Sequence, residues 1–227
     1  MAELKGNVLG KIRGKLGTVS GRVRNGKNYL VSLPASFNAA TDPQSLARRE
    51  KFKLAVLFAK SVNANSLLKT IWDKKNTNNA TVFNMVMQQN YKLLQNNSPS
   101  VNNIITPGIG FNPNLASVAY ADGDISITTN VLSETLEIDP SVETKLTAVG
   151  VIYADDPSSG NLELFDFYNF SAEPQDIVLD TVMTFTISLA YAQRLRLEQY
   201  QTIKIYSALI TLDDELLPIQ HSLTSVN

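Results

Sequence analysis

The feature that most limits what this chain can fold into is residues 5–31, which read KGNVLGKIRGKLGTVSGRVRNGKNYLV. They hold six of the chain's 11 glycines and seven of its 20 lysines and arginines, and Glu3 is the one acidic residue nearby. Glycine allows another backbone to approach closely, and cations keep a strand-like segment soluble until it is paired. The stretch is therefore predicted to be an arm that becomes ordered against another molecule.

Part of this arm predicts a β-hairpin over residues 17–33. Apolar residues alternate there with polar or small ones, at Val19, Val23, Tyr29 and Val31. Asn25-Gly26 supplies the positive φ angles that a two-residue type I′ turn requires, and Pro34 ends the second strand. The preceding GNVLGKIRGKLG is too irregular to predict a structure by itself. Residues 1–34 are thus predicted to be a glycine-rich basic arm and hairpin.

We expect the arm to make its contacts through glycines, cations and the turn asparagine. The predicted interface consists of Gly10, Lys11, Arg13, Gly14, Lys15, Gly17, Gly21, Arg22, Arg24, Asn25, Gly26 and Lys27. A second copy of the chain or a neighbouring protein is the preferred partner. Nucleic acid is the second interpretation, since these cations neutralise phosphates and Tyr29 lies close enough to stack on one base.

Residues 35–96 are predicted to be helical. Asp42 before Pro43 suits a helix cap followed by a first helical position, and apolar residues then recur at helical spacing. The predicted helices cover about residues 43–62, 64–74 and 79–95. Residues 97–114 have the Asn, Pro, Ser and Gly content of a linker.

In residues 115–227 the apolar period changes to two, which predicts β-strands. The predicted strands are Ser117–Ala121, Asp124–Thr129, Lys145–Ala154, Glu163–Phe170, Thr181–Ala190, Thr202–Leu212 and Leu216–Leu223. Turn residues such as Asp122-Gly123 separate them. Seven short strands predict a β-sandwich of immunoglobulin type. The expected fold class is α+β: an arm with its hairpin, a three-helix block and a C-terminal sandwich.

The net charge of −1 conceals two halves of opposite sign. Residues 1–95 have a net charge of +12 and residues 96–227 one of −13. Complementary potentials steer association and set register, so this division favours head-to-tail contact between copies. The alternative is that the halves neutralise each other within one subunit.

The composition excludes several kinds of chemistry. Without cysteine, disulfides, thiolate metal sites and cysteine nucleophiles cannot form. The first residues have no apolar core of signal-peptide length, and no later run approaches the roughly 20 apolar residues that span a bilayer. We expect a protein made in the cytoplasm, with no membrane partner.

The sequence offers no convincing catalytic apparatus, and no cofactor or metal site is predicted. Residues 21–27 (GRVRNGK) fit the first part of a phosphate-binding loop, but Asn28 stands where Ser or Thr is required. His221 is the single histidine and is expected to face solvent on a strand. The clusters Asp122/Asp124, Asp155/Asp156 and Asp213/Asp214/Glu215 lie at predicted turns, where aspartate is favoured, and calcium is the minor alternative there.

Three segments of the chain resemble parts of known proteins. They read GKLGTVSGRVRNGKNYLVSLP, DPQSLARREKFKLAVLFAK and TIKIYSALITLDDELLPIQHSLTSV. Together they resemble a family of uncharacterised proteins with a domain of unknown function, from gut and marine bacteria and their phages. The resemblance implies a non-enzymatic protein with an N-terminal hairpin, a helical block and an immunoglobulin-like domain. It transfers no catalytic residues.

We therefore expect a structural component of a multi-subunit particle, of the kind found in the head, neck or tail of a phage virion. The glycine-rich cationic arm and the charge polarity favour this function. Two alternatives remain at this point. One is a nucleic-acid-binding accessory protein that uses the same arm, and the other is a glycan- or receptor-binding module in the β domain.

Overall fold

The structure is a computed structural model of the chain. It describes residues 2–3, 13–24, 26–33, 39–76, 80–95, 98–134, 138–139, 141–160 and 162–227. Contacts divide the chain into two compact units, Met1–Leu46 and Ala47–Asn227. Helices and antiparallel strands are both present, so the predicted α+β class is confirmed.

The first unit contains a four-stranded antiparallel sheet. Its strands are β1 (Ala2–Glu3), β2 (Gly14–Leu16), β3 (Val19–Arg24) and β4 (Lys27–Ser32), in the order β1-β4-β3-β2. Strands β3 and β4 form the predicted hairpin, because Arg24 lies opposite Lys27 and leaves a two-residue connection. Gly26 in that connection has φ +77°, a conformation that glycine adopts without steric cost.

The helices follow the predicted intervals closely, and one more occurs near the end of the chain. They are α1 (Pro43–Ala64), α2 (Ser66–Lys74), α3 (Val82–Tyr91) and α4 (Tyr191–Leu197). The Asp42 carboxylate accepts a hydrogen bond from the Ser45 amide at 2.9 Å, which confirms the predicted cap of α1. Hydrogen bonds from Ser45 lower the pKa of Asp42, as expected for a capping carboxylate.

The second unit contains two sheets, and each predicted strand has a counterpart in them. The strands are β5 (Leu115–Ala121), β6 (Asp124–Thr129), β7 (Lys145–Pro157), β8 (Phe165–Ser171), β9 (Gln175–Asp176), β10 (Thr184–Ser188), β11 (Tyr200–Leu212), β12 (Pro218–His221) and β13 (Ser225–Val226). The smaller sheet has the order β10-β6-β5. The larger has the order β12-β11-β7-β8, with β9 on β7 and β13 on β11.

Strands β7 and β11 form the centre of the second unit and are buried on both faces. On one face, Val149 and Tyr153 share a core with α1, α2 and α3. On the other, Ala148 and Ile152 share a core with β6 and β10. The larger sheet is therefore covered by helices on one side and by strands on the other, an arrangement that the predicted division into a helical block and a separate β domain did not include.

Gly150 shows how closely this centre is packed. A Cβ atom at Gly150 would lie 2.3 Å from the Tyr206 carbonyl oxygen and 2.4 Å from the Phe170 ring. Backbone atoms cannot yield as a flexible side chain would, so any larger residue at this position forces β7 and β11 apart.

Residues 98–114, predicted to lie in a linker, are instead packed into the second unit. Ile105 is fully buried, and its carbonyl accepts a hydrogen bond from the Trp72 indole nitrogen at 2.8 Å. The buried Asn90 side chain donates to the Ile104 carbonyl, and its oxygen accepts from Asn103. These polar side chains replace the hydrogen bonds that a helix or strand would supply, so the inner part of the segment, around Asn103 to Thr106, is held against the core without regular structure.

Asn65 connects α2 to the larger sheet. Its side-chain oxygen accepts hydrogen bonds from the Leu67 and Leu68 amides and so caps α2. Its side-chain nitrogen donates to the Phe170 carbonyl at 3.0 Å and to the Ser171 hydroxyl at 2.8 Å. One buried amide therefore satisfies the start of a helix and the end of β8 together.

We expect Asn65→Ala to lower the free energy of unfolding by about 2–3 kcal/mol, because it removes a cap and leaves buried groups unpaired. Thr81→Ala is the matched control. Thr81 caps α3 through one hydrogen bond to Asn84 and is exposed, so its loss should cost about 0.5–1 kcal/mol. Urea denaturation followed by circular dichroism measures both. Equal losses would show that the contact of Asn65 with β8 contributes nothing.

Candidate assembly surface

The register of the first unit gathers cations on one face of its sheet. Residues directly opposite each other in antiparallel strands point to the same face. Arg22 lies opposite Tyr29, Arg24 lies opposite Lys27, and Lys15 lies opposite Ser20 on the adjoining strand pair. We call the side of the sheet formed by Lys15, Arg22, Arg24, Lys27 and Tyr29 the cationic face. Its four cationic residues are all exposed.

The opposite side of this sheet carries most of its aliphatic side chains, together with Asn28 and Ser32. Leu16 lies opposite Val19, Gly21 lies opposite Leu30, and Val23 occupies the next position on the same side. We call the side formed by Leu16, Val19, Val23 and Leu30 the apolar face. Leu16 is 76% exposed and the other three residues are half-buried. Strands β2, β3 and β4 thus separate two surfaces of different chemistry.

The sheet has no hydrophobic core of its own in the part that the structure describes. Along residues 13–24 and 26–33, the buried positions are Gly21 and Asn28, and no apolar side chain is fully buried. Small sheets become stable in water when an apolar face is covered. The apolar face is therefore the part of this sheet that gains most from a partner.

The predicted interface glycines have a conformational role. Gly14, Gly17 and Gly26 have φ angles of +106°, +59° and +77°, so other residues would be strained there. A Cβ atom on any of the three would meet no atom of the described residues within 4 Å. These glycines shape the turns and the edge strand β2, and they leave the space beside the backbone open.

Of the predicted interface, Arg13, Gly14, Lys15, Gly17, Gly21, Arg22, Arg24, Gly26 and Lys27 belong to the described part of the sheet and its turns. Gly10, Lys11 and Asn25 lie outside the described residues. The register shows what the sequence alone did not, namely that Lys15, Arg22, Arg24 and Lys27 share a face with Tyr29. Period-two alternation across the hairpin is the signal that would have revealed this arrangement.

The competing chemical interpretations of the sequence fit the structure poorly. Residues 21–24 end β3 and Lys27 begins β4, so no helix follows the GRVRNGK segment to hold a phosphate. Asp122 has φ +53° in a tight turn, and the Asp213 carboxylate accepts from the Glu215 and Leu217 amides. Among the described residues, no three carboxylate or histidine side chains are grouped to hold a metal ion.

The expectation for His221 was wrong. Its side chain is only 9% exposed, because Pro218 and His221 point into the second unit while Ile219 and Gln220 face outward. Burial lowers the pKa of His221, and the charge of Lys75 lowers it further, whereas the carbonyls of Pro107 and Ile109 act in the opposite direction. The folded protein therefore favours the neutral imidazole.

Comparison with models of known protein families finds none that matches this chain, and comparison with curated proteins finds no similar protein. Among the helices that the structure describes, none combines the length and apolar character needed to cross a bilayer. The chain's own surfaces therefore provide the main indication of its function.

The burial of His221 predicts a pH dependence of stability. Because its pKa is lower in the folded state, the unfolded state takes up the proton first, and stability should fall as the pH drops below the ordinary histidine value of about 6.5. Unfolding free energies of the native chain and His221→Gln, measured between neutral and mildly acidic pH, test this. His221 is the only histidine, so the variant should lose most of the slope. Identical slopes would contradict the prediction.

Proposed function

We propose that this chain is a non-enzymatic structural subunit of a multi-subunit particle, of the phage virion type, and that it assembles through the sheet of its first unit. The observation that carries the proposal is that this sheet has an apolar face with no fully buried apolar side chain in its described part. In this proposal a neighbouring subunit covers that face. The resemblance of the arm and the following helix to phage-associated proteins supports the same function.

The apolar face and the edge strand β2 supply the contacts. Fully burying a leucine or valine stabilises an association by about 1.5–3 kcal/mol. All three residues of β2 are exposed, and the strand lies at the edge of the sheet, where a strand of another subunit adds by main-chain hydrogen bonding. Burial then contributes affinity, and strand pairing fixes the register.

The cationic face determines orientation. Residues 96–227 of each copy have a net charge of −13, which gives the exposed cations of a neighbouring copy a complementary surface. Exposed ion pairs contribute little each, so their role is in steering and in selecting the head-to-tail arrangement. The repeat of one charged contact from copy to copy suits a particle built from many identical subunits.

The finer architecture implied by the resemblance belongs to the same proposal. In it, α1, α2 and α3 form a scaffold, and residues 115–227 form an immunoglobulin-like module for contact with neighbours. The shared core between the two sheets of the second unit supports this interpretation, since packed sheets with one core are characteristic of sandwiches.

One observation favours a second candidate function, the binding of single-stranded nucleic acid. Tyr29 lies directly opposite Arg22, and the neighbouring pair on the same face is Arg24 and Lys27. An aromatic ring among cations on an open sheet stacks on a base while the cations neutralise the adjoining phosphates. The rival function uses the cationic face, whereas assembly depends chiefly on the apolar face.

The assembly proposal is tested by Leu16→Glu, which places a charge on the apolar face. The full chain should form oligomers in a concentration-dependent manner, and the variant should associate at least about tenfold more weakly, since a buried leucine is worth more than 1.4 kcal/mol. Sedimentation velocity measures this. Leu164→Glu, at a leucine that is 63% exposed in the second unit, is the matched control and should associate normally.

A full chain that stays monomeric at every concentration, with its sheet folded, would contradict the assembly proposal. Removal of residues 1–33 gives a further check. The second unit has its own cores and should retain its circular dichroism spectrum while self-association is lost.

The rival function predicts that Tyr29→Ala weakens binding of a fluorescent oligothymidine by about 1–3 kcal/mol, because stacking on the ring is lost. Tyr191→Ala is the matched control, as Tyr191 is 76% exposed and lies in the second unit. Fluorescence anisotropy at several salt concentrations is the measurement. Steeply salt-dependent binding without self-association would select nucleic-acid binding over assembly.

A further inference from the structure

A cleft of about 500 Å³ lies between the end of α2, the segment around Gly110 and the strand β12. Ligand sites in proteins are typically concavities of about 300–1,000 Å³ with mostly apolar walls and a few placed polar groups. The described residues that line the cleft all belong to the second unit, and none of them is part of the predicted interface. The assembly function therefore gives this cleft no role.

The wall of the cleft is built by close backbone packing. The Phe111 amide donates to the His221 carbonyl at 3.1 Å, and the Leu223 amide donates to the Phe111 carbonyl at 2.7 Å. A Cβ atom on Gly110 would lie 2.5 Å from the His221 carbonyl oxygen, so glycine is required for this approach. The shape of the cleft is thus set by the main chain.

The polar groups of the cleft favour negative charge. Lys74 and Lys75 both line it, and none of its described lining residues is acidic. Lys74 is held by a hydrogen bond from its ammonium to the Pro218 carbonyl. Lys75 makes no ion pair or side-chain hydrogen bond with any residue that the structure describes. One ammonium is therefore anchored and the other is available.

Two isoleucine side chains of the cleft favour a ligand with an apolar body. Ile109 is 80% exposed and Ile219 is 39% exposed, and both line the cleft beside the lysines. His221 lines it too, and the buried Nε2 of its ring has no hydrogen-bond partner among the described residues. Isoleucine surface in contact with water gains by being covered, which a purely ionic ligand would not do.

We propose that this cleft binds a small organic anion, with its carboxylate or phosphate paired with Lys75 and its apolar body covering Ile109 and Ile219. The pairing is a charge-assisted hydrogen bond, which is stronger than a neutral one. The apolar body supplies the rest of the affinity by burial. This proposal is independent of the assembly function.

The single histidine provides the readout, because its imidazole signals in a nuclear magnetic resonance spectrum have no counterpart elsewhere in the chain. The probe is hexanoate, titrated into the full-length protein. We expect saturable shifts of the His221 signals. Hexanamide, with the same body and no charge, should bind at least about tenfold more weakly, and so should inorganic phosphate, which lacks the body.

Lys75→Gln should weaken hexanoate binding by about tenfold, as expected when a charge-assisted hydrogen bond becomes a neutral one. Lys69→Gln is the matched control, since Lys69 lies on the same helix, is exposed and does not line the cleft. The absence of saturable shifts, equal affinity for hexanoate and hexanamide, or unchanged binding by Lys75→Gln would overturn the proposal. Phosphate binding as tight as hexanoate would overturn the assignment of the apolar body.

Discussion

The pairing of β7 with β11 is the interaction on which the second unit depends. The two strands run antiparallel over 13 residues each, from Lys145 opposite Leu212 to Tyr200 opposite Pro157. Side chains of both strands are buried alternately in two cores, so the helices and the smaller sheet are held by the same pair of strands. A strand that is buried on both faces has no position at which a polar residue faces water, which explains the nearly continuous apolar run of β7.

The sheet of the first unit, in contrast, has little buried apolar surface in its described part. Its strands alternate regularly, but the described part of the sheet contains glycine at Gly14 and Gly21 and no large buried side chain. Glycine contributes no burial and costs conformational entropy on folding, so the sheet draws little stability from its own packing. The second unit is stabilised by its own packing, because its two cores contain many fully buried aromatic and aliphatic residues.

Sequence reasoning succeeded where the signal is local. The hairpin of β3 and β4, the Asp42 cap and the period-two strands were predicted because each depends on residues next to each other in the chain. It failed where the burial of a residue is determined by a segment that is distant in the sequence. The packing of Ile104 and Ile105 depends on hydrogen bonds from Asn90 and Trp72, and the burial of His221 depends on the nearby backbone of Gly110 and Phe111.

The residues of the candidate assembly surface were predicted from the sequence, but their arrangement on two faces was not. Local composition was enough to identify the glycines and cations of the arm, because identifying them does not depend on how the strands pair. The separation into a cationic face and an apolar face requires the register of β2 on β3, and GNVLGKIRGKLG was too irregular to predict β2. The position of α4 was also missed, since its seven residues are too few to establish a helical period.

The two faces of the sheet also bear on how the two proposed functions relate. Successive side chains of a strand point to opposite sides, so a partner that covers Leu16 and Val19 leaves Arg22 and Arg24 uncovered. Assembly through the apolar face and contact of the cationic face with a polyanion therefore do not compete for the same atoms. A subunit built in this way can be held by one neighbour and still present its charge to another, whether that charge meets the acidic half of the next copy or a phosphate backbone.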